Sequence, residues 1–174
     1  MKSWLAALCV CALAGSTWSD VQACGDKFLT PSRGTRFDLT PVARQHAAIL
    51  LYANPATELP ARLTKLSVDP VLKKAGYRPT VVASPAELDR ALGQATWDVL
   101  LIDLKDSSVV RSRLPAAKAP AVIPVAFNAT NAELSQAKKT YGDVLKSPTR
   151  SQSFLDVIDD AVAKRLQSSK SKSR

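Results

Sequence analysis

The segment TWDVLLIDLKD, residues 96–106, runs from Asp98 through four apolar residues into Asp103 and then turns polar through Lys105 and Asp106. A carboxylate at the C-terminal end of a buried strand can act as a phosphoacceptor or as an oxygen ligand for a hard dication. Four other polar residues sit just beyond apolar runs: Asn54, Asn128, Thr130 and Lys146. If those runs are parallel strands of an open α/β sheet, their carboxyl ends form the crevice in which such folds take ligands, and all five residues would line it. Other chemistries lack their residues. There is no GxSxG elbow, no glycine-rich phosphate loop, no nucleophile–base pair and no cluster of metal-ligating side chains. The lone histidine, His46, has no cysteine or histidine beside it and reads as a surface or core residue. Neither a cofactor nor a catalytic residue is expected.

The elements that must position these residues follow from periodicity. Residues 47–52 (AAILLY), 80–83 (TVVA), 99–102 (VLLI), 121–127 (AVIPVAF) and 143–146 (DVLK) are short apolar runs of strand type, the fourth despite Pro124. Between them lie helical stretches. Residues 59–66 and 71–75 read as one helix in two pieces, with Asp69-Pro70 as cap and first residue of the second. Ser84-Pro85-Ala86-Glu87 and Thr130-Asn131-Ala132-Glu133 are capping boxes that open two more helices. Residues 109–117 form a short helix, and Phe154, Leu155, Ile158, Ala161, Val162 and Leu166 share one face of a long last helix. Strands alternating with helices require right-handed crossovers, hence an α/β fold: a parallel five-stranded sheet in three α/β/α layers.

This order resembles the receiver domain of bacterial response regulators, a flavodoxin-like fold with strand order 2-1-3-4-5. Three segments carry the resemblance. Residues 97–103 (WDVLLID) are similar to the third strand running into the phosphoacceptor aspartate. Ile123-Pro124-Val125 is similar to the fourth strand, and residues 143–148 (DVLKSP) to the fifth with its lysine and proline, separated here by Ser147. In receivers an acidic pair ending the first strand joins the phosphoacceptor in holding Mg²⁺, while a hydroxyl after the fourth strand and the lysine of the fifth neutralise the phosphoryl oxygens. This chain departs from that set. Its first strand ends Tyr52-Ala53-Asn54-Pro55 without a carboxylate, and Ala129 falls where the hydroxyl belongs, with Thr130 one place late as a helix cap. The resemblance therefore implies a degenerate site: Asp103 as a vestigial phosphoacceptor, a solvated carboxylate paired with Lys146 across the top of the sheet, and no metal.

The ends of the chain bear on its address. Lys2, an apolar run over residues 4–15 and a small residue at Ala23 form the pattern of a secretory signal peptide over residues 1–23. Cleavage there leaves Cys24 as the sole cysteine, which is a lipidation site of the lipoprotein type or a leftover secretory thiol that pairs between chains or stays free. Residues 24–45 read as an irregular arm, 46–167 as the domain and 168–174 as a basic disordered tail. The chain carries a net charge of +9, and five of its positive residues follow Ala161 without an acid among them. No nucleic-acid motif accompanies that charge, so it reads as solvated tail. The expectation is an exported protein, periplasmic or secreted, that meets a membrane only through a lipidated Cys24. Its partner is a protein or envelope component, or else a small ligand in the crevice.

Overall fold

A computed structural model describes residues 41–115 and 119–172, which belong to one compact unit. The signal segment, Cys24 and the arm as far as residue 40 lie outside the described residues. Five parallel strands, β1 (Ala48–Tyr52), β2 (Arg78–Val82), β3 (Val99–Asp103), β4 (Ala121–Ala126) and β5 (Leu145–Lys146), form a single sheet in the order β2-β1-β3-β4-β5. Around it run α1 (Pro41–His46), α2 (Leu59–Lys65), α3 (Val68–Lys74), α4 (Pro85–Gln94), α5 (Ser107–Arg113), α6 (Asn131–Tyr141) and α7 (Ser151–Lys172), with a 3-10 turn at Leu104–Asp106. The expected α/β class, layering and strand order are all present.

The apolar runs are continuous because both faces of the sheet are covered. Ile49, Leu51, Val99, Leu101, Ile123 and Val125 point to one face, where Leu59 and Leu63 of α2, Val68 and Leu72 of α3 and Phe154 and Ile158 of α7 meet them. Their alternates, Leu50, Tyr52, Leu100 and Ile102, point to the other and pack on Leu88 of α4 and Val110 of α5. β3, central and buried at all five positions, thus carries Asp103 out of the driest part of the molecule.

Register explains the two strand prolines. The Ser147 N–H donates to the Ala126 carbonyl at 2.9 Å, which turns the even-numbered backbone groups of β4 toward β5. The N–H that Pro124 lacks would point the same way, yet β5 begins only at Leu145, opposite Val125, so no ladder bond is lost. On β2 the Val82 carbonyl accepts from Ala53 at 2.8 Å, so even-numbered residues face β1 and Pro79 faces the open edge.

Several boundaries differ from the sequence reading. The arm was expected to stay irregular through Gln45, but Pro41–His46 is helical. Proline suits a first turn, where its missing N–H has no intrahelical partner, and Arg44 pins the helix through both Nε and Nη2 to Asp159 of α7 at 3.1 and 2.7 Å. The second half of the split helix starts at Val68 rather than after Asp69. Ser67, at φ 50°, makes the break, and Pro70 falls in the first turn, where it costs no bond. The tail expected to be disordered from residue 168 continues α7 to Lys172. No glycine or proline interrupts it, and the Ser168 and Ser169 hydroxyls donate back to the Lys164 and Leu166 carbonyls at 2.9 and 2.8 Å. Among the described residues no helix is long and apolar enough to cross a membrane.

Candidate functional site

Asp98, the first aspartate of the opening segment, is structural. Its Oδ2 accepts from the Ala48 N–H at 3.0 Å, holding the start of β1, and its Oδ1 pairs with Arg165 Nε of α7 at 3.1 Å. Asp103, at the other end of the strand, is only 1% exposed, not the solvated carboxylate expected. Its Oδ1 accepts the Lys105 N–H at 3.0 Å and so caps the 3-10 turn. Its Oδ2 is buried without a hydrogen-bond partner. The expected pairing with Lys146 is absent: among the described residues no ion pair joins them. Lys146 is exposed on a two-residue edge strand, too short to bring it over the sheet.

The other expected site residues are spread over local tasks. Asn54 follows β1; its Oδ1 accepts from the Ala56 N–H at 3.1 Å and its Nδ2 donates to Asp106 Oδ1 at 2.8 Å. Asn128 takes a left-handed φ of 52°, a conformation its short polar side chain tolerates, and donates from Nδ2 to Glu58 Oε1 at 2.9 Å. Thr130 is the helix cap that the sequence suggested. Its Oγ1 accepts the Glu133 N–H at 3.2 Å while the Glu133 carboxylate accepts the Thr130 N–H at 2.7 Å. That bond to Thr130 holds the Glu133 carboxyl below its ordinary range.

The structure adds Asp106, which lies in the polar stretch that follows β3. It is 8% exposed, and its Oδ2, like that of Asp103, is buried without a partner. Burial pushes its carboxyl up; the Asn54 amide opposes this and the neighbouring charge of Asp103 adds to it. One sequence signal could have found it: Asp106 and the buried Val110 stand four apart at the start of a helical stretch, so they share a face. Asn54, Asp103 and Asp106 therefore converge at the carboxyl end of β1 and β3, whereas Asn128, Thr130 and Lys146 stay apart from them.

A cavity of about 630 Å³ opens beside this cluster, between the 3-10 turn and α6. Leu104, Lys105, Phe127, Asn128, Glu133 and Thr140 line it, and neither Asp103 nor Asp106 does. Receivers hold Mg²⁺ at this end of the sheet, and the residues present here do not fit it. Mg²⁺ requires near-octahedral oxygens and keeps several waters. The unpartnered oxygens of both aspartates are buried, Asn54 turns an N–H rather than an oxygen toward Asp106, and among the described residues no group of three or more His, Cys, Asp or Glu could hold a metal. A phosphoryl donor would likewise need an accessible oxygen on Asp103.

No family model matches the chain, and no curated protein does. Solved structures do resemble it. A response regulator from Thermotoga maritima is 15% identical, with a TM-score of 0.53 over 67% of this chain and 98% of its own. A signal receiver domain of a response regulator from Bermanella marisrubri is 22% identical, with a TM-score of 0.53 over 66% and 97%. The receiver domain of a sensor histidine kinase from Pseudomonas aeruginosa, with a magnesium ion coordinated in its active-site cleft, is 19% identical, with a TM-score of 0.50 over 67% and 98%. Strand order, coverage and these likenesses together make the domain receiver-like, with a flavodoxin-like fold.

Proposed function

We propose that this chain is an exported, non-catalytic pseudo-receiver that binds a protein or cell-envelope component. One observation carries the non-catalytic part: Asp103, in the phosphoacceptor position, is 1% exposed with one oxygen bound to the Lys105 N–H, and β1 ends in Asn54 rather than an acid. Export rests on the signal-peptide pattern of residues 1–23, and an exported protein is separated from ATP and kinases. Incubation with acetyl phosphate or beryllofluoride and Mg²⁺ should then produce neither a mass shift nor a spectral change. An adduct lost in Asp103→Asn would defeat this reading and restore a phosphorylatable receiver. Recovery of the same partner from envelope extract by wild-type protein and by Asp103→Asn would support it. A globomycin-sensitive mobility shift would mark Cys24 as lipidated, and an unchanged band would mark it as unacylated.

A second reading, a small-ligand domain, is favoured by the 630 Å³ cavity at the carboxyl ends of the strands, with Lys105 and Glu133 on its walls. A thermal-shift panel of charged metabolites distinguishes it from the first reading.

A further inference from the structure

The cavity of about 630 Å³ between the 3-10 turn and α6 continues into a second one of about 440 Å³, since Ser107 and Thr140 are walls of both. The two make one groove between α5 and α6. Buried side chains hold its sides, Val110 on α5 and Leu134 and Ala137 on α6, and a hydrogen bond ties them together: the Tyr141 hydroxyl donates to the Ser107 carbonyl at 3.1 Å. Polarity changes along its length. Leu104, Phe127, Ala129, Ala132 and Ala137 all belong to the inner part, whereas Ser108, Ser112 and Tyr141 bring hydroxyls to the outer part. Each part also has a cation, Lys105 on the inner and Arg111 on the outer. Both are exposed, and among the described residues no ion pair engages either. The one carboxylate on the walls, Glu133, is turned back to the helix cap, where its Oε2 accepts from the Thr130 N–H and hydroxyl at 2.7 and 2.8 Å. Asp103 and Asp106 line neither part.

We propose that this groove binds a small organic anion, with an apolar body over Phe127 and an acidic group beside Ser107 and Thr140, between Lys105 and Arg111. Charge complementarity selects the class. Two cations on the walls face one carboxylate already engaged by the cap, so the groove concentrates anions and repels an amine. The apolar inner walls require more than an inorganic ion, because only an apolar body gains by covering them. Size agrees, since 630 Å³ lies within the range of about 300–1,000 Å³ that small-molecule pockets occupy. The inference rests on the small-ligand reading above and adds to it the class of ligand and the residues that select it.

Titration of the whole protein with phenylbutyrate, followed by backbone amide NMR, tests it, with phenylbutyramide and phenylbutylamine as the neutral and cationic controls. Phenylbutyrate should shift the amides of α5 and α6 saturably, and less so as salt is added. Lys105→Gln and Arg111→Gln should each weaken it about two- to fivefold, and the two controls should bind the wild type more weakly by at least that factor. Gln136→Trp, which fills the groove from an exposed position on α6, should abolish the shifts. Binding of the amide or the amine as tight as that of the acid, and lost in Gln136→Trp, would overturn the anion and leave the small-ligand reading standing. Absence of saturable α5 and α6 shifts with all three probes would overturn both. If a variant fails to fold, the comparison of the three probes on the wild type decides alone.

Discussion

Tyr77 and Asp159 show how much a single polar contact does when it is nearly dry. Tyr77, 3% exposed at the corner before β2, donates its hydroxyl to Asp159 of α7, whose carboxylate also receives Arg44 of α1. Three elements therefore meet at one carboxylate. Burial pushes the Tyr77 hydroxyl well above its ordinary 10.0, and the charge of Asp159 pushes it further. A raised group contributes stability that is complete below its unfolded value and lost above it, so the wild type should weaken as pH climbs past 10.0. Tyr77→Phe should cost about 1 kcal/mol at neutral pH and flatten that alkaline slope, both read by urea unfolding across pH. At this scale the sequence is legible where a residue acts on its own neighbours. Thr130 and Glu133 are three apart, and their reciprocal bonds follow from that spacing alone. Asp106 was opaque, because its burial is decided by the 3-10 turn that Asp103 caps rather than by its own neighbourhood in the chain.

The elements were legible in their interiors and illegible at their ends. A run such as VLLI must be buried on two faces, whatever the fold around it. Where β5 stops is set by pairing: it bonds β4 only at Val125 and Ala126, and Asp143 ahead of it turns away to Lys164 at 2.5 Å. Burial in the helices is similarly uneven. Phe154 and Ile158 on α7 are 0% exposed, whereas Leu166, two turns on, is 42% exposed, so the last part of that helix is held by its own backbone and serine bonds. Register makes a sharp contrast between neighbours on β4. Pro124→Ala breaks no ladder bond, so its cost should come only from trimming a buried ring and stay below about 2 kcal/mol. Ile123→Ala, one residue earlier and 1% exposed, should cost about 2–5 kcal/mol. A clear gain in stability in Pro124→Ala, measured by chemical denaturation, would show that the restored N–H finds an acceptor on the β5 side after all.

For the molecule as a whole, the layering was legible because each βαβ crossover has one hand and each apolar run needs cover on both faces, while the strand order was legible only through the receiver resemblance. The functional end of the sheet was less so. The receiver-like segments point to Asp103 and Lys146 together, but a two-residue β5 leaves Lys146 at the rim, away from the buried aspartates. What lies at that rim has its own effect on the solution behaviour of the protein. An open parallel sheet has two free margins, and each is a template on which a foreign strand can nucleate. On β2 the outward backbone positions are Pro79 and Val81, and proline removes one of the two donors. On β5 the single outward position is Lys146, whose charge would be buried by any added strand. Replacing both, Pro79→Val with Lys146→Val, should leave the folding midpoint near the wild type and turn a clear solution turbid on standing, followed by light scattering. A clear solution would mean that the margins are protected by something else. On that prediction the lysine that sequence resemblance assigns to phosphoryl chemistry would have a different task, opposing the addition of a sixth strand at the β5 margin.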